Sequence, residues 1–473
     1  MGGVGEPAIV TEAVLTLMRC RKVHVQAHKA HKENGMVRVP FSRPLALRPA
    51  ARAAALAAGL LTGAAASAAP SLWVSVGGDA YRLLRMAGAE LDQVEMHRVP
   101  VQVPAEAGGL RTQQETLYLM RVDEAALPRL SSEVHERLKR CGGYVVHASR
   151  EDGRQALARF RQAPVQPEGV SYKVDDEAEV NALLPQLQES QIRSTILNLS
   201  TAYKNRYYTT TGGVGASDDL VQTWKALAAG RDDVTVKRFD HPGWPQNSVV
   251  MTIRGTTKPK EIVVIGGHLD STIGFTNENS IAPGADDDAS GVASLQEVAR
   301  VLLHSGYQPR RTLQFMAYAA EEVGLRGSAE IAADYQTRGK KVVGVLQLDM
   351  TNYQGSSSDI TLITDYTHAP QNDFLQKLAR RYLPELTVNL SACGYACSDH
   401  ASWTNRGFIA SFPFEAPMGL HNPFIHTAQD TLAQSGDTAS HALKFSRLAL
   451  AYAVELGSDG PEPAHAPAIR ARR

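Results

Sequence analysis

Six apolar runs are spaced through the second half of the chain: SVVMTIRG, EIVVIGGHLD, TLQFMAYAAEE, VVGVLQLDM, DITLITD and FIASFPFE. Their apolar cores are continuous rather than alternating, as in strands buried on both faces of a sheet. Segments with helical spacing lie between several of them, including SGVASLQEVARVLLHSG and APQNDFLQKLARRYL. Two more, VNALLPQLQESQIRSTILNLS and DDLVQTWKALAAG, precede them. Strands alternating with helices predict an α/β fold with a mixed, mostly parallel sheet sandwiched between helices, over residues 165–457.

The first third reads differently. Residues 70–163 alternate strand-like runs (SLWVSV, ETLYLMRV, GGYVVHA) with polar segments such as SSEVHERLKR, which predicts a small α+β unit over residues 69–164. The stretch RQAPVQP, residues 161–167, reads as a linker. Upstream, residues 50–69 are small and apolar, Arg38, Arg43, Arg48 and Arg52 precede or enter the run, and Ala66-Ser67-Ala68 fits a small-x-small cleavage site. Residues 36–68 are therefore expected to be a secretory signal peptide, too short and alanine-rich in its apolar core for a stable membrane anchor. Met36 is a more natural start than Met1, so residues 1–35 are expected to be an extension or a mis-assigned start. The Pro/Ala/Arg-rich segment at residues 458–473 reads as a flexible tail.

Composition narrows the function. Lys plus Arg and Asp plus Glu each number 49, so no net charge points to a nucleic acid partner. There are four cysteines, and only Cys393 and Cys397 are close together. In an exported protein they are a candidate disulfide, with two buried thiols as the alternative.

The candidate chemistry lies at strand ends, where α/β sheets bind ligands. His268 and Asp270 follow EIVVIGG, Glu321 and Glu322 follow TLQFMAYAA, and Asp349 follows VVGVLQL. The loop PGADDDASG carries Asp286, Asp287 and Asp288 into a helix, and His426 lies in the late loop NPFIHTAQD. Any one of these could be structural, since acidic turns commonly cap helices. Together they offer the His and carboxylate donors that zinc takes.

The blocks GGHLDS, APGADDDASG, MAYAAEEVGLRGS, LQLDMTNY, ITDYT, CGYACSDHASW and NPFIHTAQDTL resemble, in order and spacing, the secreted bacterial leucyl aminopeptidases of the M28 metallopeptidase family. The resemblance runs from about residue 168 to 456, and more loosely over 70–163, which is similar to the propeptide of those precursors. It implies a zinc-exopeptidase-like fold and two zinc ions per chain. Asp287 is expected to bridge them, with Glu322 and His426 completing one site and His268 and Asp349 the other. Glu321 is expected to be the general base. Asp270 is expected to hold the second ring nitrogen of His268. Asp288 is expected to support the centre from behind, and Asp286 only to cap the helix.

The resemblance also implies the Cys393–Cys397 bridge, in a loop where Tyr395 and Ser398 contact the substrate. Met350, Ile363, Phe412, Phe414 and Ile425 are expected to make an apolar pocket for a large first side chain such as Leu. Met418 and His421 stand where close relatives carry large aromatics, a departure that bears on side-chain preference. The expected protein is a secreted monomer that takes peptides with a free N-terminus, with its own propeptide as an intramolecular inhibitor or folding chaperone. The rival readings are a related carboxypeptidase or glutaminyl cyclase, and a non-catalytic binding ectodomain. A carboxypeptidase needs a cation for the terminal carboxylate. No Lys or Arg sits within the metal motifs, although Arg326 is close to the Glu pair.

Overall fold

The structure is a computed structural model that describes residues 71–86, 91–106, 108–138, 140, 142–162 and 170–458. The expected start extension, signal peptide and most of the linker and tail lie outside them.

Residues 71–162 contain β1 (Ser71–Gly77), α1 (Gly78–Met86), β2 (Asp92–Pro104), β3 (Leu110–Asp123), α2 (Leu127–Leu138), β4 (Tyr144–His147) and α3 (Arg150–Arg159). The strands form an antiparallel sheet in the order β2-β3-β1-β4. Leu127, Leu130 and Val134 lie on one stripe of α2 and pack on Val74, Val76, Met120 and Val122 of the sheet. Ser131 and His135 are the next residues round the helix, and the Ser131 hydroxyl lies 2.9 Å from that of Tyr144 at the margin of that core.

Residues 170–458 begin with α4 (Glu177–Leu183), α5 (Glu189–Thr201), α6 (Thr211–Leu227), β5 (Val234–Phe239), β6 (Ser248–Ile253) and β7 (Lys258–His268). Next come α7 (Ala289–His304), β8 (Arg311–Tyr318), α8 (Arg326–Thr337), β9 (Lys341–Gln347), β10 (Ile360–Ile363) and α9 (Ala369–Tyr382). The chain closes with β11 (Val388–Ser391), α10 (His400–Asn405), β12 (Ala410–Ser411), β13 (Pro413–Phe414) and α11 (Ser440–Ser458). The main sheet has the order β12-β9-β7-β8-β6-β5. Its first four strands are mutually parallel, and β6 and β5 are antiparallel additions.

Alternate residues of β7 explain why this sheet is covered twice. Val263 and Ile265 join the large core with α5, α7 and α11, whereas Ile262 and Val264 join a second cluster with Ile331 of α8 and Trp403 of α10. Both directions are apolar, so both faces are buried. Each such side chain contributes roughly 1.5–3 kcal/mol of burial.

Three local details differ from the sequence expectation. The helix expected over residues 180–200 divides around Pro185 into α4 and α5, because proline cannot donate within a helix. The run FIASFPFE divides into β12, which pairs with β9, and β13, which pairs with β10 in a separate three-stranded sheet. The edge strand β5, VTVKRF, has a polar pattern that hid it: Val234 and Val236 pack inward while Lys237 and Arg238 face solvent, as edge strands require.

Candidate metal centre

The parallel strands β9, β7 and β8 are neighbours and end at the same level, which brings Asp349, His268 and the Glu321–Glu322 pair together. α7 supplies the rest. Gly291 in its first turn has no Cβ, and one placed there would stand 2.2 Å from the Leu348 carbonyl. That close approach sets the preceding loop, with Asp287, over the strand ends. The backbone is left-handed at Ala320 (φ 55°), Met350 (φ 56°) and His426 (φ 54°). Ala320 precedes Glu321, Met350 follows the candidate ligand Asp349 and His426 is itself a candidate ligand, and such conformations persist where the surroundings hold them for function.

Asp287 stands between two imidazoles. Its Oδ1 lies 2.9 Å from His268 Nε2, which is 3.5 Å from Asp349 Oδ1. Its Oδ2 lies 3.2 Å from His426 Nε2, which is 2.8 Å from Glu322 Oε2. The other four expected ligands are thus gathered around one carboxylate. All are buried, with His426 the most exposed at 7%.

The electrostatics call for added positive charge. Burial would lower the pKa of both imidazoles, yet the surrounding carboxylates overcome it: His268 is raised well above its usual value and His426 to about 10. Burial, reinforced by neighbouring carboxylates, raises Glu321 well above the usual range and Glu322 to about 7. Asp287 stays far below, because both imidazoles outweigh its desolvation. Both Glu321 oxygens and Asp349 Oδ1 are buried without a hydrogen-bond partner. Buried acceptors in this state fit a site for cations, and the His and carboxylate donor set suits zinc.

Asp270 reaches the second ring nitrogen of His268 through its backbone as well as its side chain. The Nδ1 of His268 faces the Asp270 backbone carbonyl at 3.1 Å, and the Asp270 carboxylate is farther, at 3.5 Å. That carboxylate accepts the backbone amides of Glu321 (3.0 Å) and Glu322 (3.2 Å). With Nδ1 donating to the carbonyl, Nε2 keeps its lone pair for the centre.

The roles of Asp286 and Asp288 are also redistributed. Asp288, not Asp286, caps α7: its Oδ1 accepts the amides of Gly291 and Met350, and its Oδ2 accepts that of His268. Although Asp288 lies within ligand distance of His268 and Asp349, these three backbone donors occupy its oxygens. The Asp286 carboxylate instead accepts the Asn352 amide and the Asn422 side chain.

The pocket residues divide into two groups. Met350, Tyr395, Phe412 and Phe414 line a small cavity beside Asp349, together with Met418, His421 and the Cys393–Cys397 disulfide. Ile363 and Ile425 pack behind that wall in the same apolar cluster. Ser398 does not line the cavity, and its hydroxyl donates to Asp349 Oδ2 at 2.6 Å.

Several supporting residues carried no sequence signal. Arg206 is buried and donates to the carbonyls of Leu199, Leu269, Pro283 and Gly284, clamping the loops behind His268 and Asp287. Asp430 accepts the amides of Asp286 and Asp287. It lies four residues beyond His426, within a block whose chemistry was assigned only to the histidine.

The N-terminal unit packs over this centre. Ser131 of α2 donates to the Glu322 carbonyl at 3.3 Å, and the His135 and His426 rings stand 4.6 Å apart. Around them Arg326 pairs with Glu124, the Val146 amide donates to the Gly324 carbonyl, and Arg140 lies over the Tyr395 ring.

The Peptidase family M28 profile matches residues 248–451. A probable aminopeptidase of Saccharomyces cerevisiae is 35% identical over 266 residues, covering 54% of this chain and 70% of that protein. Leucine aminopeptidase 1 of Coccidioides posadasii is 35% identical over 300 residues, covering 60% and 75%. The crystal structure of LapB from Legionella pneumophila superposes with a TM-score of 0.65 at 30% identity, covering 82% of this chain and 100% of that one. The LapA aminopeptidase of the same organism gives a TM-score of 0.64 at 30% identity, with 82% and 99% covered. A share of 82% reaches beyond residues 170–458 into the N-terminal unit. Fold and site together define a metal-dependent aminopeptidase. The chain belongs to Peptidase family M28.

Proposed function

We propose that the protein is an exported two-zinc aminopeptidase that removes large hydrophobic residues from peptide N-termini. The observation that carries this reading is the double-sided placement of Asp287, each oxygen facing a different imidazole and carboxylate. Asp287, Glu322 and His426 would hold one ion, and Asp287, His268 and Asp349 the other. Three protein ligands each leave room for water or substrate. When bound, such a pair of ions polarises the scissile carbonyl and lowers the pKa of the attacking water.

The chain's own groups do the remaining work. Glu321 accepts the proton of the attacking water and passes it to the leaving amine. Its carboxyl is buried, which raises its pKa well above the ordinary value. Asp270 fixes where Glu321 and Glu322 stand by holding their amides. The apolar wall of Met350, Phe412 and Phe414 receives the first side chain, and Tyr395 beside it can donate to the tetrahedral oxygen. The N-terminal unit, residues 69–164, keeps the site closed until the chain is cut between about 161 and 168. The contacts of α2 with Glu322 and His426 support this.

The test is turnover of leucine p-nitroanilide against an N-acetylated peptide. Cleavage of the free-amine substrate alone is expected. Cleavage of the blocked peptide alone would refute the reading.

A further inference from the structure

α2 meets the metal centre in a register that its sequence builds in. Ser131 and His135 are one helical turn apart and share a face. Ser131 donates to the backbone of Glu322, and His135 lies against the ring of His426. One turn of the N-terminal unit therefore spans the two residues that, with Asp287, would hold one ion. The Nδ1 of His135 is buried. Leu130 and Val134, which belong to the unit's own core, fix the rotation of the helix.

We infer that, in the uncleaved chain, the imidazole of His135 takes the open coordination position of the ion held by Asp287, Glu322 and His426. This inference rests on the two-ion reading above.

Three considerations carry it. The first is spacing. With metal–nitrogen bonds of about 2.05 Å, two imidazoles on one ion place their centroids roughly 4.5–5.2 Å apart as the angle opens from octahedral to tetrahedral. The observed separation is 4.6 Å, with the planes inclined by 36°. The second is vacancy: an ion with three protein ligands offers one more position, the place a substrate or water needs. The third is tethering. A single imidazole binds such an ion weakly from solution, but one presented by a docked helix acts at a high effective concentration. Cutting the chain beyond α3 removes that advantage, so the donor departs with the unit. Latency would then combine steric cover with occupation of the substrate's place on the metal.

The test uses the full-length chain, confirmed uncleaved by mass spectrometry and loaded with cobalt(II) in place of zinc. Its visible absorption spectrum is compared with those of His135→Phe and His135→Ala. Phenylalanine keeps a ring against His426 but cannot donate. Both variants are expected to show a shifted cobalt spectrum and at least a tenfold rise in leucine p-nitroanilide turnover. Millimolar imidazole is expected to return the His135→Ala spectrum toward that of the unsubstituted chain. An unchanged spectrum in His135→Phe would overturn the inference, since packing alone would then account for the contact. A cut enzyme that binds fewer than two ions, or an uncut chain as active as the cut one, would instead refute the underlying reading. The two failures are thus distinguishable.

Discussion

Asp270 and Glu321 are joined across two parallel strands: Asp270 Oδ1 accepts the Glu321 amide at 3.0 Å. The second oxygen of the same carboxylate takes the Glu322 amide. One buried side chain at the end of β7 thereby sets the turn that carries the proposed base and a proposed ligand. Asp270→Asn keeps the shape but replaces one acceptor by a donor facing an amide. It is expected to lower zinc affinity and kcat by about 10- to 100-fold, read by chelator competition and steady-state kinetics.

Glu321 is assigned proton transfer and no ligand role. Glu321→Gln is expected to keep its bound zinc while kcat falls by about 10²–10⁴. Metal analysis on the assayed sample checks both halves. A variant that holds zinc and turns over at the original rate would remove the assigned base.

Ser398 supports Asp349 rather than the substrate. Ser398→Ala leaves a buried carboxylate oxygen without its hydroxyl donor, a loss of about 1.5–3 kcal/mol for a charged acceptor. Zinc retention is expected to weaken while KM for leucyl substrates changes little. A raised KM with unchanged zinc affinity would return Ser398 to the pocket.

Much of this centre was legible in the sequence because its chemistry follows apolar strands. His268, Glu321, Glu322 and Asp349 each stand just beyond a continuous hydrophobic run, where a parallel sheet opens to ligands. The division of labour within DDD was not legible. Which aspartate caps α7 depends on the close approach at Gly291, not on spacing. Arg206 and Asp430 act on backbone groups of distant loops, as Ser131 does on Glu322, and His135 meets the ring of His426 from far along the chain. Such contacts leave no period in the chain. The edge strand β5 was hidden by the polar residues that protect it.

Acid is expected to destabilise the fold through three buried histidines. Burial lowers His147 and His441 to about 4 and His400 to about 3. Their folded pKa values lie below the unfolded value near 6.5, so the unfolded chain binds the extra protons. Stability is complete above about pH 6.5 and is lost as pH falls toward 4, by at most about 2–4 kcal/mol per histidine. Denaturant midpoints at pH 7.5 and 5 measure the loss. His441→Gln should reduce the difference.

The central claim is that Asp287 bridges two zinc ions. Metal quantitation on the protein cut in the linker tests it most directly, with Asp287→Asn beside it. Two ions per chain are expected, with both weakened together in the variant. A single ion in the unsubstituted enzyme, or a variant that keeps both at full affinity, would contradict the account.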